Sequence, residues 1–242
     1  MVNNKISLNP DSIARGLGIA AFILILVSTA MVMTDYLNGH NSLFLHKLVK
    51  LFYVELELNV PTFFSMSLLL FAGLLLAMIA ALTKKQGGSH VLAWTMLSNG
   101  FLLMAFDEVV SVHERLIEPM RTVLGEENLG IFYFAWVVPA IALVLFLALC
   151  YFKFLRSLPA RTRSYFLAAG TLFLVGAIGF EFIEGSHVEI HGKDNLFYIV
   201  LTTIEEALEM AGVIVFIGAL LSYLGDTFGK VRLQFDIFAD NA

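Results

Sequence analysis

Six long apolar runs, at 13–33, 61–82, 91–117, 130–155, 165–183 and 195–224, constrain this chain more than any other feature. Each reaches the ~20 residues that a helix needs to cross the hydrocarbon core of a bilayer, the fifth only just. In hydrocarbon every backbone N–H and C=O must be bonded inside the protein, and a helix does this within one segment. The expected fold is therefore all-α, a polytopic membrane helical bundle of six transmembrane helices. The polar stretches between the runs are too short to build a soluble domain, so 1–242 reads as a single domain.

Composition agrees. Hydrophobic residues make up 59% of the 242 and charged residues 14%, where soluble domains average about 25% charged. A net charge of −5 without a basic patch argues against nucleic acid as a partner. The single cysteine, Cys150, lies inside an apolar run, which excludes an intrachain disulfide and a CxxC motif. The first run follows Lys5, contains Arg15 and has Ser28-Thr29-Ala30 near its end, an outline of a secretory signal; the expectation is that it is retained as a span.

Orientation follows from Lys and Arg in the loops. Lys5, Arg15, Lys84, Lys85, Lys153, Arg156, Arg161, Arg163, Lys230 and Arg232 fall on one side of a six-span chain. Lys47, Lys50, Arg115, Arg121 and Lys193 fall on the other. The bias puts both termini in the cytoplasm and predicts a bacterial inner membrane as the location. On the outer side, the first half of segment 41–60 places Phe44, Leu45, Leu48, Leu51 and Phe52 at helical spacing, which predicts an amphipathic helix lying on the surface. Its second half, 54–60, alternates apolar and polar residues and reads as extended.

The informative residues are acids inside apolar helices. The third run holds Asp107, Glu108, His113 and Glu114; the fifth holds Glu181, with Glu184 and His187 at its end; the sixth holds Glu205, Glu206 and Glu209. Ionisable groups at such depth are costly and usually mark a pathway or a site. Counting ~1.5 Å per residue, Asp107 is expected on the order of 15 Å below the outer end of its helix, with Glu205 at similar depth. At about 100° per residue, Asp107, Ser111 and Glu114 share a face, with Glu108 on its flank and His113 turned away. Glu181, Glu184 and His187 form one slanted stripe, and Glu205 and Glu209 lie one turn apart with Glu206 beside them.

Arg115 is the one Lys or Arg within these three runs, and it sits at an outer end. So many carboxylates cannot all remain ionised in a low-dielectric interior without cations, so either protons or bound metal must neutralise them. Carboxylates with imidazole suit divalent iron, manganese or zinc, and Glu184-Gly185-Ser186-His187 is an ExxH pair of the kind found in two-metal helix bundles. The expected function is that of a membrane metalloprotein, an oxidase or hydrolase, with its site in the outer half of the bilayer, facing the periplasm or exterior. The substrate would be a lipid or a small molecule. In the hydrolytic version Asp107, Ser111 and His113 join His187 and His191, an HxxxH pair. Alternatives are a cation or proton transporter or channel, and an accessory subunit of a larger membrane complex; a homo-oligomer is equally open. For Asp107, Glu205, Glu206 and Glu209 the competing structural reading is a protonated network that glues helices together.

Outside this set, His40, His46 and His90 read as solvated loop residues, and Glu55 and Glu57, facing the outer side, as a solvated rim, with the lining of an entrance as the alternative. Gly176, Gly179, Gly212 and Gly218 read as points of close helix contact. Trp94 and Trp136 fit interface anchors only in part.

Overall fold

The chain was examined as a computed structural model, which describes residues 9–125 and 128–229. Lys5, Lys230 and Arg232, part of the charge pattern above, lie outside the described residues. Among the described residues all regular structure is helical.

Helix α1 (Pro10–Leu37) starts where Asn9 accepts a bond from the Asp11 amide, with Pro10 in the first turn. α2 (Leu43–Phe52) is the outer amphipathic helix expected from the pattern, capped by Ser42. Val49 is its buried residue, against Val32 and Ile199. The residues after it do not form an extended strand: 54–59 is a series of turns, and Asn59 caps α3 (Val60–Lys85) by accepting from the Thr62 amide at 3.1 Å. α4 (Val91–Val110) packs along α3. α7 (Val137–Ser157) and the fifth segment, Ala160–His191, run back and forth, and α10 (Leu196–Phe228) closes the bundle against α1, α3 and α8 (Ala160–Leu174).

Five helices are long and apolar enough to cross a membrane, and a bent pair forms a sixth candidate. That bend corrects the sequence reading. The third run is not one helix: α4 stops at Val110, Ser111 takes a left-handed conformation at φ 51°, and α5 (Val112–Arg115) and α6 (Ile117–Leu124) leave at 70°. Asp107, Ser111 and Glu114 therefore share no continuous helix face. Asp107 lies three residues from the end of α4, ~4.5 Å by helical rise and not 15 Å.

The fifth segment is also longer than its apolar core suggests. α8 passes into a π-helical turn, Val175–Phe180, and then into α9 (Glu181–His191), so Glu184, His187 and His191 are helical. The fourth run starts later than expected, because Gly130–Phe132 is a short 3-10 turn lying against α9. Its Gly130 amide donates to Glu189.

Aromatic residues plug one end of the bundle. Trp94, 2% exposed, meets Phe154 edge-on at 4.8 Å, with Phe166 and Tyr223 around it. It is core, not an interface anchor. Two glycines set the tightest seam. A Cβ on Gly212 would lie 2.8 Å from the Phe173 amide nitrogen and 2.9 Å from the Ala169 carbonyl. A Cβ on Gly176 would lie 2.9 Å from the Glu205 carbonyl. Both close α8 and its π turn onto α10. Gly218 faces Ala14 of α1 at 3.4 Å, and Gly179 meets only Val175 of its own segment.

At the opposite end His40 and His46 are not simply solvated. His40 Nδ1 bonds Asp35, a buried residue of α1, at 2.8 Å, and His46 Nδ1 lies 3.8 Å from the same carboxylate. The Asp35 bond holds the His40 pKa above its ordinary value. A histidine raised in the fold contributes stability that is present below its unfolded pKa, about 6.5, and lost as pH rises through the raised folded value. The expected result of an NMR titration is a His40 midpoint above that of an unstructured histidine, moving down in Asp35→Asn. An unchanged midpoint in the variant would refute the assignment.

Candidate functional site

The site begins with the three acids of α10. Glu205 and Glu209 stand one turn apart with Glu206 beside them, and the Gly176 contact presses the π turn against this stretch. A π turn inserts an extra residue into the helical register and often marks a functional position. Here it delivers Glu181 to the first turn of α9. Trp136 Nε1 donates to Glu181 Oε1 at 2.9 Å. One turn on, Glu184 is 2% exposed and lies in the field of Glu205. Two carboxyl groups so buried cannot both stay ionised without a cation between them.

From α4, Glu108 lines a small pocket together with Ser65 of α3 and Glu209. Asp107 is committed locally. Its Oδ1 accepts the His113 amide at 3.1 Å, and its Oδ2 pairs with His113 Nδ1 at 2.6 Å. The pair caps α5 and holds the bend. His113 in turn packs against Trp136, the rings tilted at 57° with centroids 4.9 Å apart.

The structure adds acids that the sequence reading placed on a rim. The turn 54–59 folds down onto the cluster. Glu55 accepts from Tyr198 Oη at 2.5 Å and from Lys193 Nζ at 3.4 Å. Burial pushes the Glu55 pKa up, against the opposing pull of Lys193 and Tyr198. Glu57 sits in the field of Glu114, His113 and Asp107. Tyr53 Oη meets Thr202 Oγ1 at 3.2 Å.

The expected convergence of three helices is therefore present for Glu108, Glu181, Glu184, Glu205, Glu206 and Glu209, which act electrostatically on one another. Glu114 is exposed and reaches the cluster through Glu57. His187 turns elsewhere: its Nε2 bonds Asn195 Oδ1 at 2.8 Å and its ring stacks on His191 at 4.6 Å. Among the described residues no group of three or more His, Cys, Asp or Glu is arranged to hold a metal ion. The donor types suit a metal, but their arrangement does not form a cage.

Trp136, Tyr198, Glu55 and Lys193 were not anticipated. Lys193 was legible only as a single outer-side cation; nothing local shows that it reaches Glu55. Two carboxylate oxygens, Glu181 Oε2 and Glu184 Oε1, are buried without a hydrogen-bond partner in the protein.

A family model described as Domain of unknown function (DUF8692) matches residues 16–224. The chain belongs to this family. The DUF8692 match runs from within α1 to near the end of α10, so every acid of the cluster lies inside it. No curated protein and no solved structure matches the chain.

Proposed function

We propose that this chain is a six-span membrane protein with cytoplasmic termini whose outer-half carboxyl cluster binds a cation in exchange for protons. The observation that carries this reading is the burial of the Glu184 carboxyl, only 2% exposed and with Oε1 unpartnered, in the field of the Glu205 carboxyl. Neighbouring carboxyls in a low-dielectric interior retain a proton, and an incoming cation that ionises both must release it. The Lys and Arg distribution supports the orientation. The pocket is a dead end: below Glu108 and Glu209, α4, α8 and α10 present apolar side chains toward the opposite end. A binding site fits this better than a conduit.

The test is proton release from the full chain in phosphatidylcholine nanodiscs, in weak buffer, on addition of methylammonium or Mn²⁺. Saturable release is expected in the wild type and its loss in Glu205→Gln. No release in the wild type, or equal release in the variant, would overturn the reading.

A second reading, a metal-dependent membrane oxidase or hydrolase using iron, manganese or zinc, draws on the unpartnered Glu181 Oε2 and Glu184 Oε1. A metal ion would satisfy both oxygens, after rearrangement of the side chains around them. Plasma mass spectrometry of the purified protein separates the two: near-stoichiometric transition metal favours the enzyme, and its absence favours the proton-exchanging site.

A further inference from the structure

Among the described residues helix α7 forms no extensive backbone seam with another element. Between it and α4, α8 and α10 lies a cavity of about 420 Å³, lined by apolar residues that include Phe101, Met104, Leu147, Phe173, Val213 and Phe216. This volume falls within the ~300–1,000 Å³ of small-molecule sites. A void of this kind forfeits dispersion contacts along its walls, so within a bilayer an apolar chain is drawn into it.

The cavity has a polar end. Phe173 and Val213 line it and also line the small pocket that holds Ser65, Glu108 and Glu209. Among the described residues no Lys or Arg lines either space. The apolar volume therefore abuts carboxyls whose opposing charge comes from outside the pocket, from His113, which is itself paired with Asp107, and the buried Glu184 Oε1 of the same cluster has no hydrogen-bond partner among the described residues.

From this junction we infer that the cation is the head of a membrane-resident, single-chain amphiphilic amine. Its chain occupies the cavity beside α7, and its ammonium group sits between Glu108 and Glu209. The inference rests on the cation-binding reading above and names the ligand class. Charge decides the head: an ammonium pairs with the carboxylates as a proton leaves, whereas a carboxylate or phosphate head would add a like charge. The apolar lining decides the tail, and the loose flank at α7 supplies lateral entry from the bilayer.

The experiment titrates the full chain in phosphatidylcholine nanodiscs with tetradecylamine and, separately, with tetradecanoate, reading bound ligand per chain. One tetradecylamine per chain is expected, with tetradecanoate at least tenfold weaker. Glu209→Gln should weaken the amine at least tenfold through the head, and Ala148→Phe, which fills the cavity, should do so through the tail. Equal binding of the two ligands, or amine binding indifferent to Ala148→Phe, overturns the inference. So does an Ala148→Phe variant altered only in its oligomeric state, which would make the cavity a helix-docking surface. Proton release with methylammonium but no selective tetradecylamine binding sinks this inference alone. Absence of both sinks the cation-binding reading as well.

Discussion

Gly212→Leu leaves no monodisperse bundle. The reason is where the added atoms must go. Two of the nearest atoms to a Cβ at Gly212 belong to the main chain of α8, the Phe173 amide nitrogen at 2.8 Å and the Ala169 carbonyl oxygen at 2.9 Å. A side chain can rotate away from an intruder, but helix backbone cannot, so α8 and α10 must separate along the seam that carries the cluster. Gly212→Ala is the graded version, expected to cost about 1–3 kcal/mol, as overpacking does. Gly100→Ala serves as the control, since a Cβ there meets nothing within 4 Å; exchanging glycine for alanine in a helix is expected to stabilise by up to about 1 kcal/mol. Thermal unfolding in nanodiscs checks the series, and Gly212→Ala as stable as wild type would show that the seam is not as tight as drawn.

Asp107→Ala should loosen the bend and the site together. Both carboxylate oxygens are used, one on the His113 amide and one on its ring. Hydrogen bonds to a charged group contribute about 1.5–3 kcal/mol, and the lower end applies because the two side chains are 30% and 32% exposed. The consequence travels further, since His113 packs against Trp136 and Trp136 holds Glu181. The Ala variant should therefore lose cation-linked proton release as well as stability. Asp107→Asn, which keeps an acceptor for the His113 amide, should fall between wild type and Ala. An Ala variant with wild-type stability and proton release would remove Asp107 from this role.

Hydropathy is a local, one-dimensional property, and the bilayer converts it directly into helices. That is why α1, α3 and α10 lie within a few residues of the runs that predicted them. The helical spacing of α2 and the acids of α10 were readable for the same reason. A cluster assembled from three helices was also readable, because burying several carboxyls without cations leaves few arrangements other than mutual contact.

Where the runs break was not readable. Residues 91–117 read as one long hydrophobic run carrying a few charges, yet the chain turns by 70° at Ser111 because Asp107 and His113 satisfy the freed backbone there. That compensation spans six residues and a left-handed serine, and no local preference announces it. The π turn at Val175–Phe180 likewise follows from how closely Gly176 lets the segment approach the Glu205 carbonyl, a contact between distant parts of the chain.

The composition of the site divides along the same line. Glu181, Glu184, Glu205, Glu206 and Glu209 declare themselves by being acids in apolar surroundings, since the cost of burial is a property of the residue and its immediate neighbours. Glu55 and Lys193 lie in polar connections where a charge costs nothing until the chain folds back. Tyr198 and Trp136 are ordinary membrane residues until each finds a carboxylate. Their roles, and the meeting of the apolar cavity with Glu108 and Glu209, were set by packing between segments far apart in sequence, because only that packing fixes which groups share a low-dielectric space.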